Sequence, residues 1–122
     1  MTEYELVDAI ASFNSGAGSW SAMYFTILSA YLVAAYLAGA QLSHSQMLIV
    51  SGAFVVAASM CCFVAVSHTL RSLEFANEVR VLNPSRDFAV KPWVPLVWGA
   101  LLSAGVLIAL KFMWDVRHPK TE

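Results

Sequence analysis

Residues 20–70 read WSAMYFTILSAYLVAAYLAGAQLSHSQMLIVSGAFVVAASMCCFVAVSHTL, and they contain no Asp, Glu, Lys or Arg. The charge-free interval is longer still, since it extends from Asp8 to Arg71, and a second one separates Lys91 from Lys111. A bilayer core of about 30 Å is crossed by roughly 20 apolar helical residues. The first interval therefore has room for two crossings and the second for one, which predicts an integral membrane protein.

The composition of the whole chain supports this interpretation. Of the 122 residues 59% are hydrophobic, and seven Lys and Arg stand against eight Asp and Glu for a net charge of −1. Such a chain is too apolar for an ordinary water-soluble domain and has no basic surface for a nucleic acid. Its length fits one domain, so residues 1–122 are expected to form a single membrane domain with the lipid bilayer as its first partner.

Three spans follow from the polar residues that separate them. Residues 39–46 hold two Gln, two Ser and a His, and this polar stretch predicts a turn. We expect an all-α protein with transmembrane helices at 20–42, 45–70 and 93–114, followed by a tail at 115–122. Tryptophans at the span ends agree with this division, because indole rings prefer the headgroup layer; they are Trp20, Trp93 and Trp114.

Two helical segments are expected outside the bilayer. Residues 2–13 have the spacing of a capping box and of a short amphipathic helix, which the polar, glycine-containing segment 14–19 should end. The second span is expected to continue as a helical extension over 71–82, until Asn83 and Pro84 stop it. The apolar side of this extension should pack on the amino-terminal helix or on the same segment of another copy; the alternative is that it lies along the membrane interface.

Small residues recur at four-residue intervals in each span. Helices in lipid associate through close backbone approach at such residues, so they predict helix packing and assembly into a homo-oligomer or with other membrane subunits. The assembly positions are Ala22, Thr26, Ala30, Ala34 and Ala38 in the first span, Ala53, Ala57 and Ala65 with Cys61 in the second, and Gly99 and Ser103 in the third.

The residues that could carry chemistry do not form a site. His44 and His68 are expected at opposite membrane faces, and Cys61 and Cys62 near the middle of a span favour packing over reactivity. No nucleophile with a base, phosphate loop or metal motif occurs, so we expect neither an enzyme nor a cofactor. A charge group at the membrane edge is interpreted as a solvated helix face; it comprises His68, Arg71, Glu74 and Glu78.

Two functions remain as hypotheses. The first is a small membrane protein that acts by helix–helix assembly, as a homo-oligomer or as an accessory subunit in the cytoplasmic membrane. The alternative is a homo-oligomeric channel for ions or small solutes, lined by the hydroxyl groups of Ser29, Tyr36 and Ser43 and by backbone. Basic residues are almost balanced between the two sides of the membrane, so the positive-inside rule leaves the orientation open.

Overall fold

The computed structural model of the protein describes residues 2–86 and 91–120, and every regular element within them is helical. Helix α1 spans Glu3–Ala38 and is followed by a short 3₁₀ turn at Gly39–Gln41. Helix α2 spans His44–Leu82, and helix α3 spans Val94–Arg117. All three helices are long and apolar enough to cross a membrane, which confirms the predicted helical class and the number of candidate spans.

Capping boxes begin the first two helices. The backbone N–H of Thr2 donates to Glu5 Oε2 (2.8 Å), and the Thr2 hydroxyl accepts from the backbone N–H of Glu5 (3.3 Å). The hydrogen bond from the Thr2 backbone lowers the pKa of the Glu5 carboxyl below its ordinary value. Ser43 and Gln46 form the same reciprocal pair at the start of α2, with bonds of 2.9 and 3.2 Å. This second box places the start of α2 at His44, one residue before the predicted boundary.

Helix α1 is continuous through residues 14–19, so the predicted break between an amphipathic helix at 2–13 and the first span is wrong. Each glycine in a helix costs about 1 kcal/mol relative to alanine, but packing on α2 outweighs that cost. The Phe13 ring stacks on Phe75 with centroids 5.6 Å apart. Gly16 lies so close to His68 that a Cβ atom there would meet the imidazole Nδ1 at 2.6 Å. The glycine is therefore a packing residue of one long helix.

Helices α1 and α2 form an antiparallel hairpin along their whole length. Its outer end is a cluster in which Leu6 and Ile10 of α1 pack on Ala76 and Val79 of α2. Within the apolar part, the Tyr31 ring stacks on Phe54 with centroids 4.1 Å apart. The apolar side of residues 71–82 thus packs on the amino-terminal part of the same chain, as one of the alternatives predicted.

The buried positions on α2 are three or four residues apart, and the buried positions on α1 lie on a single face of the helix. On α2 they are mostly small: Phe54, Ala58, Cys61, Ala65, Thr69, Ser72, Ala76 and Val79. On α1 they are mostly large: Leu6, Ile10, Ser21, Tyr24, Tyr31 and Ala35. This spacing is typical of a coiled-coil seam, whereas the four-residue ridges predicted from the sequence would curve around each helix.

Helix α3 is held on the hairpin by polar contacts at three levels. Trp98 Nε1 donates to Ser21 Oγ (3.1 Å), and the buried Tyr24 hydroxyl donates to the carbonyl of Leu102. At the other end, the Arg117 guanidinium donates to the carbonyls of Gly39 (3.0 Å) and Leu42 (2.7 Å). These carbonyls lie just after the last residue of α1, so the Arg117 charge also interacts favourably with the negative end of the α1 helix dipole.

Candidate assembly surface

The small-residue ridge of α1 faces away from the rest of the chain. Ala22, Thr26, Ala30 and Ala34 are exposed, whereas Tyr24 and Ala35, on the opposite side of the helix, are buried against α2 and α3. The Thr26 hydroxyl donates to the carbonyl of Ala22 (3.0 Å), so its hydrogen bond is made within α1. This line of small side chains is therefore an apolar ridge with low relief.

Large apolar side chains stand on both sides of this ridge. They are exposed as well, and they include Met23, Phe25, Val33 and Leu37. A helix laid on the ridge would meet small residues at its centre and large ones at its edges. This arrangement allows two backbones to approach closely, which is how helices in lipid gain contact energy.

The other predicted assembly positions divide between the inside and the outside of the chain. Ala65 is fully buried against α1, and Gly99 is half-buried with Val66 of α2 beside it. Ala53 and Ser103 are exposed, and Ala38 and Ala57 are intermediate. The predicted small faces therefore differ: the face of α1 is mostly external, whereas the face of α2 is divided between the exposed Ala53 and the buried Cys61 and Ala65.

The predicted hydroxyl line does not surround a passage in the single chain. Ser29 and Tyr36 are exposed on the outer side of α1, and the Ser43 hydroxyl caps α2. Other hydroxyls, which the sequence argument did not single out, hold the bundle together. The hydroxyls of Tyr31 and Ser51 share a hydrogen bond of 2.8 Å, and Tyr24 and Ser21 bond to α3. The sequence feature that could have identified these bonding hydroxyls is the seven-residue spacing of Tyr24 and Tyr31, which places both tyrosines on the seam.

The predicted membrane-edge charge group divides into three exposed charged residues and one histidine that faces α1. The Arg71 guanidinium lies 3.5 Å from the Glu74 carboxylate, and both side chains are about two-thirds exposed (66% and 65%). Glu78 is exposed. His68 instead faces α1, with its ring centroid 5.5 Å from that of Phe13 and its Nδ1 buried without a hydrogen-bond partner. The three charged residues thus form a solvated face, and His68 belongs to the hairpin seam.

Within residues 2–86 and 91–120, no three His, Cys, Asp or Glu side chains lie together as metal ligands would. Cys61 is buried in the seam and Cys62 is half-buried, and both are free thiols. Comparison with protein-family models, with curated proteins and with solved structures gives no match for this chain.

Proposed function

We propose that the chain is a small integral membrane protein that acts by helix–helix assembly, as a homo-oligomer or as an accessory subunit of a membrane complex. The observation that carries the proposal is the exposed ridge at Ala22, Thr26, Ala30 and Ala34. An apolar face is already solvated by lipid, so exposure alone gives no reason to associate. A small-residue face does give one, because it exchanges loose lipid contacts for close contacts with another helix.

The lengths of the helices support a particular placement in the bilayer. Helices α1 and α2 have 36 and 39 residues, about twice what a crossing needs, whereas α3 has 24. The excess in α1 and α2 lies at the same end of the hairpin. That end carries Glu3, Glu5 and Asp8 on one helix and Arg71, Glu74, Glu78 and Arg80 on the other. We therefore propose that this end of the hairpin lies in water. The apolar remainder of the hairpin and α3 would lie in the lipid of a cytoplasmic membrane.

The test replaces one ridge residue by a larger one. Ala34→Leu inserts a branched side chain where two backbones would approach, and overpacking of this kind costs about 1–3 kcal/mol. We expect the dissociation constant of the oligomer in detergent to rise by about tenfold or more, as measured by sedimentation equilibrium. Ala104→Leu is the matched control, because Ala104 is exposed on α3, away from the ridge.

Wild-type protein that sediments as a single chain would contradict the homo-oligomer. So would an Ala34→Leu variant with the mass and thermal stability of the wild type. The channel hypothesis is supported to a lesser degree by the exposure of Ser29 and Tyr36 beside the ridge, where several copies could enclose them. Ion flux through proteoliposomes that changes in Ser29→Leu would favour that channel, and liposomes without flux would favour assembly alone.

A further inference from the structure

Two separate apolar clusters hold α1 and α2 together along the hairpin. The outer cluster comprises Leu6, Ile10, Ala76 and Val79. The inner cluster lies in the apolar part of the hairpin and extends outward to Tyr24 and Ala65. Between the two clusters, none of the described residues 11–20 of α1 is fully buried. Residues 3–13, which we call the arm, are thus held on α2 by a cluster of their own.

The part of α2 that faces this gap between the clusters buries polar side chains. Between Ala65 and Ala76, the described helix buries Thr69 and Ser72 and no apolar residue. The Thr69 hydroxyl donates to the carbonyl of Ala65 (3.0 Å), but the Ser72 hydroxyl is fully buried without a hydrogen-bond partner. A buried hydroxyl without a partner destabilises the conformation that buries it. The packing at the gap therefore contributes less stability than either cluster does.

Helix α1 has a low intrinsic helix propensity at the same level. Residues 14–19 contain one Asn, two Gly and two Ser, all of which are weaker helix formers than alanine. A helix of this composition depends on tertiary contacts. Those contacts come from Gly16, which lies against His68, and from Phe13, whose ring packs on His68 and Phe75. Residues 14–19 can therefore bend when the contacts with His68 are lost.

His68 is the titratable side chain at this gap. Its Nδ1 atom is buried without a hydrogen-bond partner, and it would lie 2.6 Å from a Cβ atom on Gly16. The residue also lines a surface cleft of about 170 Å³, together with Phe13, Ser67 and Arg71. The cleft gives protons access to the imidazole ring, while the packing on α1 keeps Nδ1 away from water.

The described residues around His68 do not balance a positive charge on its ring. Its neighbours on α1 are Phe13 and Gly16, and neither is charged. Its charged neighbour in the cleft is Arg71, also a cation, which lies 3.5 Å from the Glu74 carboxylate; no acidic residue is among the described residues that line the cleft. A protonated imidazole carries an N–H on both nitrogens. In the packed hairpin, the N–H at Nδ1 would be buried without an acceptor, which is unfavourable.

We propose that His68 is a pH-sensitive switch that controls the position of the arm. With a neutral His68, the arm packs on residues 71–82, as the structure shows. Protonation of His68 opens the hairpin at the gap, and the arm moves away from α2 by bending at residues 14–19. Both imidazole N–H groups then reach water, and the apolar side of the arm becomes exposed. The inference rests on the proposed placement of this end of the hairpin in water, and it does not depend on assembly through the ridge.

Hydrogen exchange of the full-length protein in lipid nanodiscs tests the switch. Samples at about pH 7.5 and about pH 5.5 span the titration of an ordinary imidazole and leave ordinary carboxylates ionised. After correction for the intrinsic effect of pH on exchange, protection of amides 6–13 should fall about tenfold or more at the lower pH, whereas amides 98–110 of α3 should keep theirs. Equal protection of amides 6–13 at both pH values would overturn the proposal, as would an equal loss in α3.

Variants identify the group that responds to pH. In His68→Gln and in His68→Phe, protection of the arm should be the same at both pH values. His118→Gln is the matched control, because His118 is an exposed histidine that follows the last residue of α3, and it should respond like the wild type. Glu3→Gln removes the carboxylate that pairs with Arg86 at the end of the arm, and it should also keep the response. A response that persists in either His68 variant, or that is lost in Glu3→Gln, would contradict the role given to His68.

A measurement on the wild type keeps the test independent of how the variants fold. The NMR signal of the His68 Cε1–H group reports the protonation of the ring. Its titration midpoint should coincide with the pH at which half of the protection of amides 6–13 is lost, and midpoints more than about one pH unit apart would overturn the proposal. Failure of the switch leaves the sedimentation test of assembly unaffected, because that test compares variants at one pH.

Discussion

At the scale of single residues, the hydroxyl groups of Tyr24 and Tyr31 connect the three helices. Both side chains are buried, and each hydroxyl has a partner on another helix, Leu102 for Tyr24 and Ser51 for Tyr31. Gly105 leaves the space that the Tyr24 hydroxyl occupies. These bonds matter because a buried hydroxyl without a partner is costly where no water can replace it.

Tyr24→Phe removes one of these hydrogen bonds without changing the shape of the core. Interhelical hydrogen bonds in membrane proteins contribute about 0.6 kcal/mol on average and up to about 1.7 kcal/mol. We expect a loss of about 1 kcal/mol in the free energy of unfolding, measured by SDS titration in mixed micelles. Tyr36→Phe is the control, because Tyr36 is 73% exposed, and it should leave stability unchanged. A Tyr24 variant as stable as this control would contradict the role given to the bond.

Sequence alone could not assign the small residues to the inside or the outside. Ala34 is exposed and Ala65 is fully buried, yet both stand in charge-free apolar runs with small residues four positions away. In a soluble helix the polar side marks the surface, but in these spans every side is apolar and that contrast is lost. Tyr24 and Tyr31 indicate the inner side of α1 better than the small residues do. A tyrosine hydroxyl in lipid needs a hydrogen-bond partner, and the seam between the helices provides one.

At the scale of helices, the continuity of α1 is the main difference from expectation. Asn14, Gly16 and Gly18 are poor helix formers, and their local preference predicts a break. Packing on α2 supplies the helix stabilisation that the local sequence lacks, because Phe13 and Gly16 contact Phe75 and His68 of α2. Tertiary contacts between residues distant in sequence are not visible in a local pattern. In contrast, α2 and α3 begin and end within a few residues of the predicted positions, because a capping box marks the start of α2 and proline and charged residues mark the ends of α3.

The two glycines of this segment should respond differently to alanine. Gly16→Ala places a methyl group against the His68 ring, so we expect a destabilisation of about 1–3 kcal/mol. Gly18 has open space around its Cα, so Gly18→Ala should stabilise α1 by up to about 1 kcal/mol through helix propensity. Hydrogen exchange of the amides at 12–20 distinguishes the two: faster in the first variant and slower in the second. Equal exchange in both variants would show that α1 does not pack on α2 there.

At the scale of the whole molecule, a long hairpin carries a shorter third helix on one side. This arrangement leaves the small-residue ridge on α1 exposed. The number of spans and the extension of α2 to Leu82 could be predicted, because charge and hydropathy alone determine them. The position of α3 on the hairpin could not, because it depends on contacts between residues distant in sequence, such as Trp98 with Ser21 and Tyr24 with Leu102.

The placement of the apolar helices in hydrocarbon is tested most directly by EPR depth measurement in lipid nanodiscs. Single nitroxide labels are attached at Val56, Leu101 and Ile108, which are exposed within the candidate spans, and at Val81 on the hairpin extension, in a Cys61→Ala, Cys62→Ala background. We expect oxygen to reach the first three labels more readily than a water-soluble nickel chelate does, with the reverse order at Val81. A chelate that reaches all four labels equally would contradict it.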